Sequence, residues 1–147
     1  EIQRTLFEEI ILNQINLIPG KKVVVLGKAE EEQSYDSITN IEIYNHVDRK
    51  KQNEFLNRAK FVICRSGYTT VMELVALKKP ALMIPTPGQT EQEYLACHYR
   101  ETGLFYTADQ TGLDLPSELK KYRNSVRPNM DHIPVNDTKA FNRLLSI

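Results

Sequence analysis

The sequence lacks the features that mark membrane, disulfide-rich and nucleic-acid-binding proteins. Its 147 residues include no tryptophan, only two cysteines, and equal numbers of basic and acidic residues, 19 of each. Its apolar runs are short, such as residues 23–26, whereas a membrane-spanning helix needs roughly 20 apolar residues. No transmembrane segment is therefore predicted, and the balanced charge gives no compositional support for a nucleic-acid partner.

Cysteine and histidine are also too sparse for the common metal and disulfide frameworks. We expect Cys64 and Cys97 to be free thiols in the core, as in a reducing, cytoplasmic compartment. The three histidines, His46, His98 and His132, stand apart without metal-ligand spacing, so no metal site is predicted. No Ser/His/Asp set can be assembled either, and no catalytic residue is assigned.

The chain has the size and composition of one globular domain. Hydrophobic residues make up 41% of it and charged residues 26%, which are ordinary values for such a domain. The sequence starts abruptly at Glu1, in or just before a helical pattern. We therefore expect it to be a piece of a longer protein.

Apolar runs ended by glycine or proline alternate with patterns of helical period. Strands are predicted at residues 22–27, 41–44, 61–64, 81–84 and 104–106. Helices are predicted at residues 6–17, 48–59, 69–77, 89–102, 115–122 and 138–145. The first strand is a continuous apolar run, typical of burial on both faces. Alternation with short connections indicates βαβ units, so the predicted fold class is α/β, with a Rossmann-like parallel sheet and helices on both faces.

The most informative turn is RSGYTT, residues 65–70, which joins a predicted strand to a helix. Ligands of open parallel sheets bind at this edge, and a helix N-terminus favours a phosphate by a few tenths to about 2 kcal/mol. Glu73, one turn into the helix, is placed to accept two neighbouring ribose hydroxyls. Alternatively, Thr70 and Glu73 form a capping box at an ordinary helix start. Because neither GxGxxG nor GxxxxGK[ST] is present, the pattern alone predicts an anion or nucleotide binder and leaves both alternatives open.

A longer run around this turn resembles a known family. Residues 61–96, FVICRSGYTTVMELVALKKPALMIPTPGQTEQEYLA, are similar to the donor-binding motif of family 28 glycosyltransferases, most closely over residues 64–85. The segments IEIYNHVDRKKQNEFLNRAKF and VVVLGKAE resemble neighbouring parts of that family. The resemblance implies that residues 1–147 form the C-terminal, nucleotide-sugar donor-binding half of a two-domain glycosyltransferase of the B fold. Its N-terminal acceptor domain and the first strand of this half would lie outside the chain.

The resemblance also implies roles for individual residues. The implied nucleotide-binding residues are His46, Val47, Ser66, Gly67, Tyr68, Thr69, Thr70 and Glu73. The backbone near Val47 would contact the base, usually uracil, the amides of residues 68–70 would face the diphosphate, and Glu73 would bind the ribose. The implied donor-sugar residues are Glu91 and Gln92.

Three positions depart from the family pattern. Lys78 stands where a helix-ending glycine is common, at a cost of about 1 kcal/mol if φ is positive there. The family members that build peptidoglycan have two successive glutamines and an asparagine in this region. Here Glu93 replaces the second glutamine and Ala96 replaces the asparagine. The transferred sugar, a hexose or an N-acetylhexosamine, is therefore left open.

The implied activity is transfer of that sugar from a UDP-sugar to an acceptor hydroxyl, with inversion and without a metal or cofactor. The general base is expected on the missing half, so we expect this chain alone to be inactive. The acceptor is not identified by the sequence, and both a lipid-linked and a free glycan are compatible with it. The resemblance implies a cytoplasmic location and allows contact with the inner face of the membrane through the missing half.

Two other classes fit parts of the pattern. One is a nucleotide-sugar hydrolase of the same fold, in which water replaces the acceptor; a sugar-nucleotide 2-epimerase fits less well, because its doubled glycine and paired glutamates are missing here. The other is a binding module without chemistry, such as a nucleotide-sugar sensor or a flavodoxin-like domain. Flavin binding would require a hydroxyl-rich loop after the first strand, and residues 26–29, Leu-Gly-Lys-Ala, do not supply one.

Overall fold

The computed structural model of the protein describes residues 2–28 and 35–126. The helices of these ranges are α1 (Ile2–Gln14), α2 (Arg49–Arg58), α3 (Tyr68–Ala76), α4 (Thr90–Thr102) and α5 (Leu115–Asn124). The strands are β1 (Lys22–Val25), β2 (Tyr35–Ile38), β3 (Ile41–Tyr44), β4 (Val62–Cys64), β5 (Ala81–Met83) and β6 (Tyr106–Thr107). A 3-10 turn, Ile15–Leu17, continues α1. The helix predicted at residues 138–145 lies outside the described residues.

The described residues fall into two compact units. Unit 1 comprises residues 2–28, 35–58 and 110–124, and unit 2 comprises residues 59–109, 125 and 126. Unit 1 contains a sheet of order β1-β3-β2, in which β1 and β3 are parallel. Unit 2 contains a fully parallel sheet of order β4-β5-β6. In unit 2 the parallel strands are joined through α3 and α4, which confirms the predicted α/β class.

Strand β2 is not predicted from the sequence. Its residues, Tyr-Asp-Ser-Ile, form no apolar run, yet they pair antiparallel with β3 across a two-residue turn, with Ile38 opposite Ile41. Asn40 in this turn has a φ of 71°, a left-handed conformation that asparagine tolerates well. The strand thus forms because the turn brings it beside β3.

The core of unit 2 comes from β5 and one face each of α3 and α4. All three residues of β5 are buried, as expected for the central strand of a parallel sheet. The buried residues of the two helices are Val71, Leu74, Val75, Leu95, Ala96 and Tyr99. On α3 these residues recur at helical spacing. Glu73 lies off this stripe and is half-buried.

Unit 1 is packed differently. Neither α1 nor α2 contains a fully buried residue. Polar contacts help to hold α1: Arg4 Nη1 donates to the Gly27 carbonyl at 2.7 Å, and Gln14 Oε1 accepts from the Leu115 N–H at 2.7 Å. The second contact ties α1 to the start of α5.

The prediction that the first strand is buried on both faces is wrong. Val23 and Val25 of β1 are 39% and 45% exposed. The reason is that β1 lies at the edge of its sheet, with β3 as its single strand neighbour among the described residues. An edge position leaves both the backbone and the flanking side chains more open to solvent.

The expectation for Lys78 is confirmed, whereas the expectation for Cys97 is wrong. Lys78 has a φ of 51°, so the expected strain of a non-glycine residue after α3 is present. Cys97 is exposed on α4, so its predicted place in the core is wrong, because it faces away from the buried stripe of that helix. Cys64 is free and lies at the end of β4, where burial raises the pKa of its thiol to about 12.

Candidate functional site

The first feature of the site is the open start of helix α3. Gly67 precedes the helix and provides no side-chain cap, and the first helical hydrogen bond runs from the Val71 N–H to the Gly67 carbonyl at 3.1 Å. The N–H groups before Val71 therefore precede the hydrogen-bond ladder. Those of Thr69 and Thr70 have no acceptor within residues 2–28 and 35–126. The first turn also contains no acidic residue, so it presents donors without a compensating negative charge.

The capping-box alternative is wrong. Helix α3 begins at Tyr68, so Thr70 is its third residue and cannot be its N-cap. A capping box needs the threonine at the N-cap, three residues before the glutamate. Glu73 is thus free of that role, and its half-buried carboxylate has no hydrogen bond or ion pair to any described residue.

Neither the backbone conformation nor the packing around Gly67 requires a glycine at this position. Its φ of −74° and ψ of 146° are extended values that any residue adopts. A Cβ atom built on Gly67 would meet nothing within 4 Å. The missing side chain therefore leaves open space directly at the N-terminus of α3, where the unpaired donors lie.

The turn before α3 is fastened to the loop between β5 and α4. Ser66 is completely buried, and its hydroxyl donates to the Gln92 carbonyl at 2.8 Å. Arg65 Nη1 donates to the carbonyls of Pro85 and Ile84 at 3.1 and 3.3 Å, and burial lowers the pKa of this guanidinium. Because the Ser66 hydroxyl is bonded inside the protein, any part that Ser66 takes in ligand binding must pass through its backbone or its neighbours.

The β5–α4 loop is defined here as residues 84–92, which includes the first three residues of α4, and it is held by its own side chains. Gln92 Oε1 accepts from the Thr86 N–H at 2.9 Å, and Gln92 Nε2 donates to Gln89 Oε1 at 2.6 Å. Glu93, just beyond the loop, accepts from the Gly88 N–H at 2.9 Å. These bonds stabilise the loop conformation seen in the structure.

The sequence-predicted site residues thus divide between the two units. In unit 2 the Ser66–Gln92 hydrogen bond joins the β4–α3 turn, residues 65–70, to the β5–α4 loop. Glu91 lies at the start of α4, is exposed, and has no partner among the described residues. His46 and Val47 follow β3 in unit 1 and are half-buried. The Nδ1 atom of His46 is buried and lacks a hydrogen-bond partner in the described part of the chain.

Sequence reasoning did not predict the hydrogen bonds that build this framework. Arg65 stands directly before the predicted serine-glycine pair, and this position is the signal that could have suggested a supporting role. Thr86, Gly88 and Glu93 take part through backbone N–H groups or a surface carboxylate. Such contacts connect residues that are five or six positions apart in a loop, where no periodic pattern marks them.

The aromatic residues of α4 pack with one another and with Phe105, which follows the helix. The rings of Tyr94 and His98 are stacked at 6.4 Å, and Tyr99 meets Phe105 edge-on at 5.5 Å. Burial raises the pKa of the Tyr99 hydroxyl well above its usual range, and the neighbouring Tyr68 raises it further. This cluster supports α4 from its buried side.

The described ranges contain neither a cluster of metal-ligating side chains nor a membrane-spanning helix. Within residues 2–28 and 35–126, no three histidine, cysteine, aspartate or glutamate side chains gather as a metal site would require. None of the helices in these ranges combines the length and apolar character needed to span a bilayer.

Comparison with known proteins decides the family. Residues 5–143 match the model of the glycosyltransferase family 28 C-terminal domain. The chain belongs to glycosyltransferase family 28. This confirms the resemblance derived from residues 61–96.

Three curated relatives share one name, UDP-N-acetylglucosamine--N-acetylmuramyl-(pentapeptide) pyrophosphoryl-undecaprenol N-acetylglucosamine transferase. The Elusimicrobium minutum protein is 43% identical over 103 residues, which are 66% of this chain and 27% of that protein. The Histophilus somni protein is 42% identical over 67 residues, 45% of this chain and 19% of that protein. The Listeria monocytogenes serotype 4a protein is 24% identical over 94% of this chain and 38% of its own length. The family 28 chain thus spans well under half of each of these relatives.

Two solved structures share the fold. The solution NMR structure of ALG13 matches with a TM-score of 0.63 and 15% identity, over 99% of this chain and 89% of that one. The crystal structure of the glycotransferase of kitacinnamycin matches with a TM-score of 0.58 and 18% identity, over 96% of this chain and 33% of that one. The predicted Rossmann-like fold, as the C-terminal half of a glycosyltransferase B fold, is therefore confirmed.

Proposed function

We propose that this family 28 domain binds the UDP-sugar donor of a glycosyltransferase at the β4–α3 turn and the β5–α4 loop. The observation that carries the proposal is the start of α3, where unpaired N–H groups lie beside a glycine whose missing Cβ leaves open space. Such a start favours a phosphate by a few tenths to about 2 kcal/mol. The donor named for the curated relatives, UDP-N-acetylglucosamine, carries a diphosphate of this kind.

The diphosphate and ribose would be bound by α3. The N–H groups of Tyr68, Thr69 and Thr70 point toward the helix start, and those of the two threonines have no other acceptor in the described chain. Glu73 lies about one turn further on, with a carboxylate that no described residue engages. A carboxylate of this kind accepts hydrogen bonds from two neighbouring hydroxyls, and a ribose supplies them.

The base would be bound by the segment after β3. The backbone N–H and C=O groups of Val47 would pair with one edge of the base, and uracil is the base of the donor named for the relatives. The unpartnered Nδ1 atom of His46 supports this assignment, because a ring nitrogen either donates or accepts according to its tautomer.

The transferred sugar would be bound at the start of α4. The side-chain oxygen Oε1 of Gln92 already accepts from the Thr86 N–H, and its Nε2 donates to Gln89. One amide N–H and one lone pair of Oε1 are left to contact the sugar. Glu91 is exposed beside it and would accept from a sugar hydroxyl. The sugar is a hexose or an N-acetylhexosamine, and the relatives' donor supports the latter.

The reaction would be an inverting transfer in which an acceptor hydroxyl attacks the anomeric carbon of the donor. The bond from that carbon to the diphosphate breaks, and the leaving nucleoside diphosphate takes the electron pair. The start of α3 would stabilise its charge in place of a metal ion, since preorganised N–H donors act where charge develops. A general base on another domain would remove the proton of the acceptor hydroxyl.

The domain organisation follows the same reasoning. We propose that residues 1–147 are the donor-binding half, and that the acceptor domain and one further strand belong to other parts of the full protein. The longer relatives support this organisation, as does the exposed edge of β1. The undecaprenol-linked acceptor in the relatives' name supports a lipid-linked acceptor at the inner face of the membrane.

The test is a titration of the 147-residue chain with UDP, ADP and GDP, followed by backbone amide NMR shifts. We expect UDP to bind most tightly, with a Kd of about 40 μM to 1 mM, because about −4 to −6 kcal/mol is reasonable for one domain without closure onto a second. Shifts should concentrate at Val47, residues 66–73 and the β5–α4 loop, and neither transfer nor hydrolysis of the donor should be detectable. Tighter binding of ADP, or no response at residues 66–73, would remove the proposal.

A further inference from the structure

Within unit 2 the donor site proposed above consists of two segments, and consecutive residues of one segment hold both ends of the other. Arg65 bonds the carbonyls of Ile84 and Pro85 at the first end of the β5–α4 loop. Ser66 bonds the Gln92 carbonyl at the last end. The following residue, Gly67, precedes the open start of α3. The turn that would receive the diphosphate therefore also fixes the loop that would receive the sugar.

Ser66 is the more specific of the two contacts. Its side chain is completely buried and its hydroxyl has a single acceptor, the carbonyl of Gln92, at 2.8 Å. The side chain of the same Gln92 accepts from Thr86 and donates to Gln89. One residue thus connects Ser66 to both the beginning and the middle of the loop.

We infer that Ser66 is a positioning residue, which sets the β5–α4 loop for the donor sugar and couples it to diphosphate binding at α3. This inference rests on the proposed function. Because the Ser66 hydroxyl is buried and engaged, it acts on the ligand through Gln92. Arg65 fixes the other end of the loop, so that a shift of the turn moves the whole loop instead of bending it.

A positioning role for Ser66 predicts different effects on binding of the nucleotide and of the sugar. UDP lacks the sugar and senses the β4–α3 turn, whereas a UDP-sugar senses the turn and the loop. Replacing Ser66 with alanine removes the link and leaves the α3 donors in place. It should therefore weaken the sugar contribution more than the nucleotide contribution.

The experiment compares binding of UDP and UDP-N-acetylglucosamine to the 147-residue chain and to its Ser66→Ala variant. In the variant, we expect UDP-N-acetylglucosamine to bind about three- to tenfold more weakly, the range of one lost hydrogen bond, and UDP to change by less than about twofold. A second readout uses UDP alone: its binding should shift the Thr86 and Gly88 amide signals of the parent but not those of the variant. A purely structural role of Ser66 would not abolish this response.

Thr107→Val is the matched control. Thr107 is buried in the same unit, and its hydroxyl accepts from Arg100 Nε at 2.7 Å, away from the β5–α4 loop. This variant also loses one buried hydroxyl bond, yet it should bind both ligands in the parental ratio. If Ser66→Ala does not fold, Ser66→Cys keeps a weaker donor at the position and should show the same selective loss in smaller measure.

The possible outcomes separate this inference from the proposed function. If the parent binds neither ligand, the proposed function fails and the inference fails with it. If the parent binds UDP but Ser66→Ala weakens UDP and UDP-N-acetylglucosamine equally, only the positioning role is overturned. A parent that binds both ligands with equal affinity also overturns it, since no sugar contact would then exist for Ser66 to position.

Discussion

The two helices that follow β4 and β5 start in opposite ways. Helix α3 begins with Tyr68, Thr69 and Thr70 after a glycine, and its first turn carries no acidic residue. Helix α4 begins after Gln89, and its first turn carries Glu91 and Glu93. Both follow a strand of the same parallel sheet, so both N-termini present the positive end of a helix dipole. The difference lies in what the side chains around them do.

At α4 two of the polar side chains already bond the protein itself. Gln92 and Glu93 turn back and bond the N–H groups of Thr86 and Gly88, while the glutamate charges compensate the dipole. At α3 nothing in the described chain performs either task. The comparison teaches that a helix N-terminus attracts an anionic ligand when the sequence leaves it neutral and uncapped, and supports a loop when the sequence fills it with acceptors.

The largest loss of UDP affinity is expected on replacing Glu73, an acidic residue of α3 that lies beyond the first turn. Glu73→Gln keeps the size of the side chain and removes a charge-assisted hydrogen bond to the ribose. Such a bond is worth about 1.5 to 3 kcal/mol, so UDP should bind roughly tenfold or more weakly. Calorimetric titration measures this loss. A variant that binds UDP like the parent and merely melts earlier would show that Glu73 is structural.

The difference between the two helix starts can be reduced by adding an acidic residue to the first turn of α3. Thr69→Glu adds an acidic residue to the first turn, where it interacts favourably with the dipole but repels a diphosphate. We expect the melting temperature to be unchanged or higher and UDP to bind about five- to tenfold more weakly at low salt.

Thr90→Glu is the matched control for this substitution. It adds the same charge to the first turn of α4, at another exposed threonine, and should leave UDP affinity within about twofold, since that end already carries two glutamates. Equal losses in both variants would mean that general charge repulsion, and not the start of α3, decides UDP affinity.

A smaller effect is expected from Glu93, which bonds the Gly88 N–H. Glu93→Gln keeps an acceptor for this N–H but removes the negative charge at the start of α4. The expected loss of stability is about 0.3 to 1 kcal/mol, with UDP affinity unchanged. Urea unfolding followed by circular dichroism measures the first quantity. A marked loss of UDP affinity would contradict the division of roles between the two helix starts.

Much of this fold could be predicted because its strands and helices carry clear apolar patterns. The buried stripe of α3, with Val71, Leu74 and Val75, follows directly from helical spacing. Strand β2 could not be predicted, because it contains no apolar run and depends on the turn at Asn40. The edge position of β1 was missed for a related reason, since an apolar run does not reveal which neighbours a strand has.

The candidate site could be predicted in outline but not in its framework. Glycine and threonine at a strand-to-helix turn suggested an anion site, and the family resemblance supplied roles for Glu73 and Gln92. The capping-box alternative could be resolved only once α3 was seen to begin at Tyr68. The buried bond from Ser66 to Gln92 joins residues 26 positions apart, and no local pattern encodes such a contact.

The central claim is that the missing side chain of Gly67 leaves room for a phosphate at the start of α3. Gly67→Ala tests this claim most directly. Its backbone is extended and a Cβ would meet no protein atom within 4 Å. The stability should therefore change by less than about 1 kcal/mol, because the lower unfolded-state entropy of alanine offsets its weaker helix-capping preference.

Asp114→Ala gives the opposite control, because Asp114 Oδ1 accepts from the Ser117 N–H at the start of α5. That variant should lose about 1 kcal/mol of stability and keep its affinity for UDP. The decisive measurement is UDP affinity beside thermal stability for both variants. The account predicts that Gly67→Ala folds like the parent and binds UDP at least about tenfold more weakly, since the added methyl group displaces the phosphate from the α3 donors. Parental UDP affinity in a normally folded Gly67→Ala variant would contradict it.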